Sequence, residues 1–355
     1  MPLLRAEWWE AHQPLVVFMW IILLVVPFAI VYGAGDTFET VLECIVNDYL
    51  TFIVLLFGLF CVSGNITVGG DFAGSPRVNA CLLALGTLLS SCIGTTGASM
   101  LMVRPVIKMN SWRKRKRHIM VFFIFLISNM GGCLTPIGDP PLLMGFMRGV
   151  LPGMSAFQDV AGNVRGIHLY GEVTLTLPAL IEIVIILLAA FLSFKTTDSS
   201  IRTKNHFTWG AIKEVAVLFI GIFITMQPAL MLLKSVGPNL GISEPYQMFW
   251  ATGALSSFLD NTPTYLVFLT TAGTLGLTGG ITTALGQIPV NLLEAISCGA
   301  VFMGANTYIG NAPNFMVKAI SDENGVNMPS FFGYILWSLA FLVPVFILDM
   351  LVFFL

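Results

Sequence analysis

Two polar motifs interrupt long apolar runs in this sequence, and the chain carries the pair twice. The motifs of the first copy are SSCIGTTG at residues 90–97 and TPIGDPP at 135–141; those of the second are SSFLDNTP at 256–263 and TYIGNAP at 307–313. Five of the ten positions from Thr135 to Met144 are identical to those from Thr307 to Met316. The same breaks in the same order indicate an internal repeat.

The amino-acid composition indicates whether these breaks lie in a water-soluble protein or in a membrane protein. Apolar residues make up 56% of the 355 residues and charged residues 10%. This balance is typical of an integral membrane protein. The six cysteines lie in or beside apolar runs without paired spacing, so we interpret them as small buried hydrophobic residues and expect no disulfide or metal site.

Apolar runs of spanning length predict an all-α polytopic membrane protein. The expected single spans are Pro14–Gly33, Tyr49–Gly64, 172–194, 209–233 and 331–355. Residues 36–48 are read as an amphipathic connection between the first two spans. Residues 119–151 and 292–321 are expected to be discontinuous helices, unwound at 131–141 and 304–313, because each contains one of the proline-containing motifs.

The other motif of each copy divides an apolar run into two arms, at residues 79–107 and 246–276. The arms of the first run are about 14 and 11 residues long, which is too short for a spanning helix. Unwound backbone is tolerated at membrane depth only where protein or a cavity covers it. We therefore expect two re-entrant hairpins, one in each of the repeat halves 1–208 and 209–355.

The densest charge run, Arg113–Arg117, fixes the orientation. A basic run can bind nucleic acid, but beside membrane segments it is typical of a cytoplasmic loop. With this loop inside, the N-terminus is cytoplasmic and the C-terminus outside, and all of the 17 Lys and Arg residues except Arg148, Arg165 and Lys234 are cytoplasmic. The hairpins then enter from opposite faces, which is the inverted repeat of secondary transporters with a site near the bilayer midplane.

Two carboxylates occupy the breaks, Asp139 and Asp260. Each could serve only as the N-cap of a half-helix. Alternatively, each could bind Na⁺ and a proton competitively, since a carboxylate that must lose its proton to bind a cation couples the two ions. A third carboxylate, Glu182, lies within an apolar span and is either a proton carrier or a protonated acid bonded to a neighbouring helix.

Neutral oxygen donors accompany these carboxylates, although they could equally satisfy the backbone at broken helix ends. The residues that we expect to bind the ion or substrate are Gly94, Thr95, Thr96, Thr135, Gly138, Asp139, Asp260, Asn261, Thr262, Asn306, Thr307, Gly310 and Asn311. The candidate Na⁺ ligands are Thr95, Thr96, Asp139, Asp260, Asn261 and Thr262.

The motifs GTTGAS, LTPIGDPP, LDNTP and GANTYIGNAPN resemble the ion transporter superfamily, which includes NhaD-type sodium/proton antiporters, arsenite-efflux proteins and sodium-coupled carboxylate carriers. Within it, the chain resembles a bacterial family labelled sodium/proton antiporter or citrate transporter. The resemblance covers nearly the whole chain and implies a homodimer in the bacterial inner membrane, with one further helix before Met1. It also implies an elevator mechanism, in which the hairpins and broken helices move against a scaffold containing Pro14–Gly33 and 331–355.

The resemblance specifies the substrate less well. Carboxylate carriers of the superfamily have a Ser-Asn-Thr triplet at each hairpin tip. The corresponding residues here are Gly94, Thr95 and Thr96, and Asp260, Asn261 and Thr262, so both triplets depart from that pattern.

Three function classes follow from these features. The first is a sodium/proton antiporter with no cofactor beyond the transported ions and no nucleic-acid partner. The second is a sodium-coupled symporter of citrate or another di- or tricarboxylate. The third, an intramembrane aspartyl protease using Asp139 and Asp260, is disfavoured because Pro136 stands where such proteases have a glycine. We therefore expect a transporter and no enzymatic activity.

Overall fold

The computed structural model describes residues 6–65, 73–142, 166–204, 207, 209–236, 241–283 and 286–355. The α-helices are α1 (Ala6–Tyr32), α2 (Ala34–Glu43), α3 (Thr51–Gly64), α4 (Pro76–Ile93), α5 (Thr95–Met109), α6 (Arg117–Leu126), α7 (Leu177–Thr196), α8 (Ser199–Lys204), α9 (Gly210–Val236), α10 (Pro245–Ser256), α11 (Asn261–Gly273), α12 (Val290–Met303), α13 (Ala312–Glu323), α14 (Phe331–Phe341) and α15 (Val343–Asp349). The strands form two antiparallel pairs, β1 (Gly166–Tyr170) with β2 (Val173–Thr176) and β3 (Ile281–Thr283) with β4 (Gly286–Ile288).

Seven of the described helical segments are long and apolar enough to cross a membrane. They are His12–Tyr32, Ala34–Val62, Pro76–Ile93, Arg117–Leu134, Leu177–Thr196, Val215–Leu232 and Phe331–Phe354. Together with the scarcity of strands among the described residues, these segments confirm a helical, polytopic membrane protein.

The first compact unit comprises residues 1–62, 151–197 and 208–232. Its interior is aromatic where α3 meets α9, since the ring of Phe52 lies 4.8 Å from that of Phe219. The hydroxyl of Tyr49 donates to the carbonyl of Ala216 at 3.0 Å. A Cβ on Gly58 would collide with Ile186 of α7, so this glycine allows α3 and α7 to pack closely.

The second span begins earlier than predicted. Residues 36–48 are not a separate connection, because α2 continues through a π-helical segment, Cys44–Leu50, into α3. The polar side chains of this stretch are satisfied within the helix. Thr37 and Thr40, for example, donate to the carbonyls of Gly33 and Asp36, each four residues earlier.

The second compact unit comprises residues 63–150, 198–207 and 233–355 and contains the residues of both predicted hairpins. Helices α4 and α5 meet at Gly94, whose φ of 79° suits glycine. Helix α4 has 18 residues, because Ser75 caps it and Pro76 occupies its first turn. It is one of the seven candidate spans, so the prediction that neither arm of this hairpin could span is wrong for α4.

Both predicted discontinuous helices are interrupted. After α6 the chain leaves the α-helix at Ile127, four residues before the predicted break, and forms a 3-10 turn, Met130–Leu134. After α12 a 3-10 turn, Gly304–Asn306, leads into an extended segment, and helix resumes as α13. The first helix was predicted to continue to residue 151, but residues 143–151 lie outside the described residues.

The two strand pairs were not predicted. β1 and β2 lie at the start of the predicted span 172–194, whose helix accordingly begins only at Leu177. Gly171, with a φ of 54°, makes the turn between these strands. Both pairs are only a few residues long, and such short segments carry little periodic signal in the sequence.

The final helix extends from α14 through α15 into a π-helical end, Met350–Phe354, as the apolar pattern predicted. It is bonded to the second break, since Tyr334 donates to the Ala305 carbonyl and Ser338 to the Asn306 carbonyl, both at 3.0 Å. These bonds place it with the second break in the same compact unit and do not support its assignment to a scaffold. The repeat halves and their inverted orientation stay predictions.

Candidate functional site

The first hairpin tip is bonded to the first break. At the end of α4, Ser90 donates to the carbonyl of Ile127 at 2.7 Å, and Ser91 donates to the carbonyl of Gly131. Thr135 in turn donates to the Ser91 carbonyl. Backbone carbonyls at an interrupted helix lose their helical hydrogen-bond donors. The serine and threonine hydroxyls donate to these carbonyls instead.

The second copy makes corresponding bonds. Ser256 donates to the Ala300 carbonyl at 2.6 Å, Ser257 to the Met303 carbonyl at 3.1 Å, and Thr307 to the Ser257 carbonyl at 2.5 Å. The sequence repeat is therefore also a repeat of hydrogen bonds between tip and break.

Glycines let the backbone turn tightly inside both breaks. A Cβ on Gly138 would collide with the carbonyl oxygen of Gly132, and a Cβ on Gly310 would collide with that of Gly304. Both predicted glycines, Gly138 and Gly310, thus shape the breaks through their backbone, as does Gly94 at the first tip.

Asp139 joins the two tips. Its side chain is completely buried, with an exposed fraction of 0%. One carboxylate oxygen accepts from the Thr95 hydroxyl at 2.7 Å, and the other accepts from the Asn261 amide at 3.0 Å. Thr95 is the first residue of α5 and Asn261 the first residue of α11, so repeat-related residues from both hairpins meet at one carboxylate.

Backbone and side-chain bonds hold these two donors in place. The Thr95 amide donates to the Gly138 carbonyl at 2.9 Å. The amide oxygen of Asn261 lies 2.8 Å from the Ser256 hydroxyl, and its NH₂ group is directed at Asp139. The Thr95, Asp139 and Asn261 side chains are defined here as the central cluster.

Asp260 has a different environment from Asp139. It is the N-cap of α11, and one of its oxygens accepts from the Thr262 amide at 3.1 Å. Its carboxylate also accepts from the amide of Ala312, the first residue of α13. Asp260 therefore faces the positive ends of two half-helices, and no hydrogen bond joins it to Asp139 within the described part of the chain.

A set of asparagines connects the two breaks. Asn311 donates to the Ser128 carbonyl at 3.0 Å and to the amide oxygen of Asn129 at 3.1 Å. Asn129 donates to Asn314 at 2.7 Å, and Asn314 donates to the carbonyls of Gly304 and Thr307, both at 2.9 Å. Sequence reasoning identified Asn311 and missed Asn129 and Asn314, although an amide beside each break in an apolar helix was a usable signal.

Some predicted donors remain available. The amide oxygen of Asn306 is buried and has no hydrogen-bond partner among the described residues, whereas its NH₂ group donates to Ser257 at 2.9 Å. The Thr262 side chain is buried and interacts with the Asp260 carboxylate. Thr96 is half-buried at the start of α5. Glu182 is half-buried on α7 and belongs to the first unit, while all the other predicted site residues belong to the second.

The two breaks differ in how they are covered. In the second, Tyr308 is 1% exposed and its ring lies 4.1 Å from that of Tyr334 in the final helix. In the first, Leu134 and Ile137 are 65% and 52% exposed. The breaks thus share their internal bonds but not their surroundings.

The described cation nearest in sequence to a tip is Arg104, which is half-buried on α5. Its electrostatic partner is Glu323, the last residue of α13. The described hydrogen bonds and ion pairs include none between a basic side chain and Asp139 or Asp260.

The seven candidate spans define a polytopic membrane protein. Its candidate site is the buried central cluster, which lies where the two helices are interrupted. The model of the family described as "Putative citrate transport" matches residues 1–161 and 154–354. The chain belongs to this family, which lies within the ion transporter superfamily. It is accordingly a membrane transporter. No curated protein matches the chain significantly.

Proposed function

We propose that the protein is a secondary active transporter that exchanges sodium ions for protons, with Asp139 at the centre of the ion site. The observation that carries this proposal is the complete burial of Asp139 between Thr95 and Asn261. A buried carboxylate is costly unless its charge is balanced or a proton neutralises it. Its side-chain partners Thr95, Asn261 and Asn311 are all neutral, so the carboxylate is suited to hold one cation or one proton at a time. Competition of this kind couples the two ions.

The role of Asp260 in this proposal is to hold the second tip in shape. Its carboxylate accepts from the amides at the start of α11 and α13, and the positive helix ends balance its charge. A carboxylate substrate approaching these ends would meet an anion already in place. This arrangement favours a cation as the transported species.

Buried oxygens supply further candidate ligands. Sodium is a hard cation and, like calcium and magnesium, is best bound by oxygen ligands. The Asn306 amide oxygen is buried and lacks a described partner, and the Thr262 side chain lies beside the Asp260 carboxylate. We include them, with Thr96, among the residues that ligate sodium when it binds.

Sodium-coupled uptake of citrate or a related carboxylate is the second candidate, and the description of the family favours it. In that case the carboxylates would bind the coupling sodium. The anion would lie near the start of α5, which has no side-chain cap.

Transport follows an elevator mechanism in this proposal. Both hairpins and both breaks belong to one compact unit, which suits a body that moves as a whole past a scaffold in a lipid-embedded homodimer. The protein lies in the bacterial inner membrane, with the loop Arg113–Arg117 and the N-terminus in the cytoplasm and the C-terminus outside. A single cysteine at Lys114 that an impermeant maleimide labels only from outside intact cells would contradict this orientation.

The deciding experiment uses purified protein in proteoliposomes that contain a pH-sensitive dye and an imposed proton gradient. Na⁺, Li⁺, K⁺ and labelled citrate are added in turn. The variants are Asp139→Asn, which removes the charge at constant shape, and Asp260→Asn. Asp36→Asn, an exposed carboxylate in the first turn of α2, is the matched control.

Sodium/proton exchange predicts that Na⁺ or Li⁺ collapses the gradient. This response should be lost in Asp139→Asn and unchanged in Asp36→Asn. Absence of a response to every cation, together with Na⁺-dependent citrate accumulation, would replace antiport with the carboxylate symporter. A full response in Asp139→Asn would show that the ion site does not lie at the central cluster.

A further inference from the structure

The connection between α5 and α6 forms a charged surface that the proposed ion site does not use. This basic loop, Arg113–Arg117, carries five consecutive positive charges. Its residues Lys114 and Arg115 are exposed. A candidate membrane span begins at Arg117, so the basic loop lies where that span leaves the bilayer.

Hydrogen bonds hold both ends of the basic loop. The Arg113 guanidinium donates to the carbonyl of Gly74 at 2.8 Å, and the Arg117 guanidinium donates to the carbonyl of Asn327 at 2.5 Å. Gly74 lies just before α4, and Asn327 lies between α13 and α14. The loop is therefore fixed to two other segments of the second compact unit.

A pair of asparagines closes the base of the loop. Asn79 of α4 and Asn110 at the end of α5 are buried and exchange two side-chain hydrogen bonds, at 2.8 and 2.7 Å. The Gly74 amide also donates to the Met109 carbonyl at 2.8 Å. Because the polar groups of this base are bonded to one another, the charges of the loop stand on a preformed support.

The middle cations of the basic loop are not neutralised by the protein. The hydrogen bonds and ion pairs of the described residues include none made by the side chains of Lys114, Arg115 or Lys116. On the neighbouring end of α13, the Asp322 carboxylate accepts instead from the Lys318 ammonium and the Met328 amide, both at 2.9 Å. These three positive charges are therefore available to an anionic partner.

The position of Trp112 favours lipid as that partner. Its side chain is 62% exposed, and the Arg113 guanidinium lies 4.8 Å from the ring centroid. Tryptophan beside a span is typical of the head-group level of the membrane, and a cluster of four to eight Lys and Arg residues next to a membrane helix attracts anionic lipids. Because the basic loop adjoins a span, head groups are always within its reach, which favours them over a soluble polyanion such as RNA.

We propose that the basic loop binds the phosphate groups of anionic phospholipids at the membrane surface. The three middle cations donate charge-assisted hydrogen bonds to these phosphates. Trp112 places its ring among the head groups, and the two end arginines hold the loop in position. This site is separate from the proposed ion site, and its lipid can be detected without any transport, so failure of sodium/proton exchange would leave it untouched.

The test uses purified protein in nanodiscs of phosphatidylcholine with an increasing fraction of brominated phosphatidylglycerol, because bromine quenches the fluorescence of nearby tryptophan. Comparison with Trp112→Phe isolates the signal of Trp112 from that of the other tryptophans. Brominated phosphatidylglycerol should quench Trp112 more strongly than brominated phosphatidylcholine does at the same mole fraction. Equal quenching by the two lipids would overturn the proposal.

Charge variants locate the binding at the loop. Lys114→Gln combined with Arg115→Gln should raise the fraction of brominated phosphatidylglycerol needed for half-maximal quenching by about tenfold. The matched control, Lys195→Gln with Lys213→Gln, removes two exposed cations from the first compact unit and should bind like the wild type. Lys114→Arg with Arg115→Lys, which keeps both charges, should bind normally too. An equal loss in the loop variant and the control would overturn the proposal, because net charge and not the loop would then govern binding.

Soluble anions separate lipid binding from the binding of phosphate or RNA. Inorganic phosphate should displace brominated phosphatidylglycerol no better than sodium chloride of equal ionic strength, since both then act only by screening. Complete displacement by phosphate alone would overturn lipid as the partner. So would binding of a short RNA to the detergent-solubilised wild type that is lost in Lys114→Gln with Arg115→Gln.

Discussion

Replacing Asn314 by leucine tests whether the asparagines between the breaks hold this part of the protein together. Asn314 is completely buried and makes three hydrogen bonds, to the carbonyls of Gly304 and Thr307 and with Asn129. Each such bond contributes a net 0.5–1.5 kcal/mol, so losing three costs about 2–4 kcal/mol. In a protein of 355 residues that loss corresponds to a decrease of about 3–5 °C in the unfolding temperature.

The assay is thermal unfolding of the purified protein in detergent, followed by the fluorescence of its seven tryptophans. Asn324→Leu is the matched control, because Asn324 caps the same helix, α13, is exposed and donates one bond to the Ile320 carbonyl. Surface changes of this kind shift stability by at most about 0.5 kcal/mol. Equal unfolding temperatures for Asn314→Leu and Asn324→Leu would refute the reasoning.

A double variant sharpens this test. Asn129 and Asn314 share one hydrogen bond, and each single variant removes it. The double variant should therefore be less destabilised than the sum of the singles, by about 0.5–1.5 kcal/mol. Strict additivity would mean that the two amides do not act together.

Two further predictions concern the breaks directly. Gly138→Ala should reduce transport at least about tenfold, because the added Cβ would collide with the Gly132 carbonyl. The control Gly35→Ala, where the added Cβ meets open space, should transport normally. Equal transport rates in the two variants would contradict the close approach of the backbone at Gly138. Thr95→Val removes a donor to the buried Asp139 carboxylate, which costs about 1.5–3 kcal/mol and about 10- to 100-fold in cation affinity. Thr95→Ser keeps the hydroxyl and should bind normally in the proteoliposome assay, and an equal loss in both variants would point to packing.

The sequence predicted the order and kind of most elements because membrane spans have a strong signal. A run of about 20 apolar residues can hardly be anything but a spanning helix, and the two proline-containing motifs correctly predicted interruptions. Boundaries were less predictable. Ser75 and Pro76 start α4 three residues before the predicted Asn79, since a cap and not hydropathy sets the first turn. The π-helical stretch that joins α2 to α3 leaves no mark in hydropathy at all.

The candidate site was predictable in its residues but not in its connections. Asp139, Thr95 and Asn261 were all identified from the sequence as site residues. Their meeting could not be inferred, because Asp139 is 122 positions from Asn261 and only folding brings them together. The sequence also treated Asp139 and Asp260 as equivalent. The structure separates them, since Asp260 caps helix ends while Asp139 receives side-chain donors from both hairpins.

The two copies of the sequence repeat share their hydrogen-bonded backbone structure but differ in the charge of one side chain. The serine and threonine bonds between tip and break occur in both copies, because both breaks have the same backbone groups to satisfy. Asp139 and Asn311 occupy equivalent positions in the two motifs, yet only the first carries a charge. Asn311 instead donates to the first break. The Asp139 carboxylate, held by the neutral donors Thr95, Asn261 and Asn311, is suited to exchange one cation for one proton, and the second carboxylate, Asp260, acts on it electrostatically without a hydrogen bond between them. The differences between the copies, and not their similarities, therefore define the ion site.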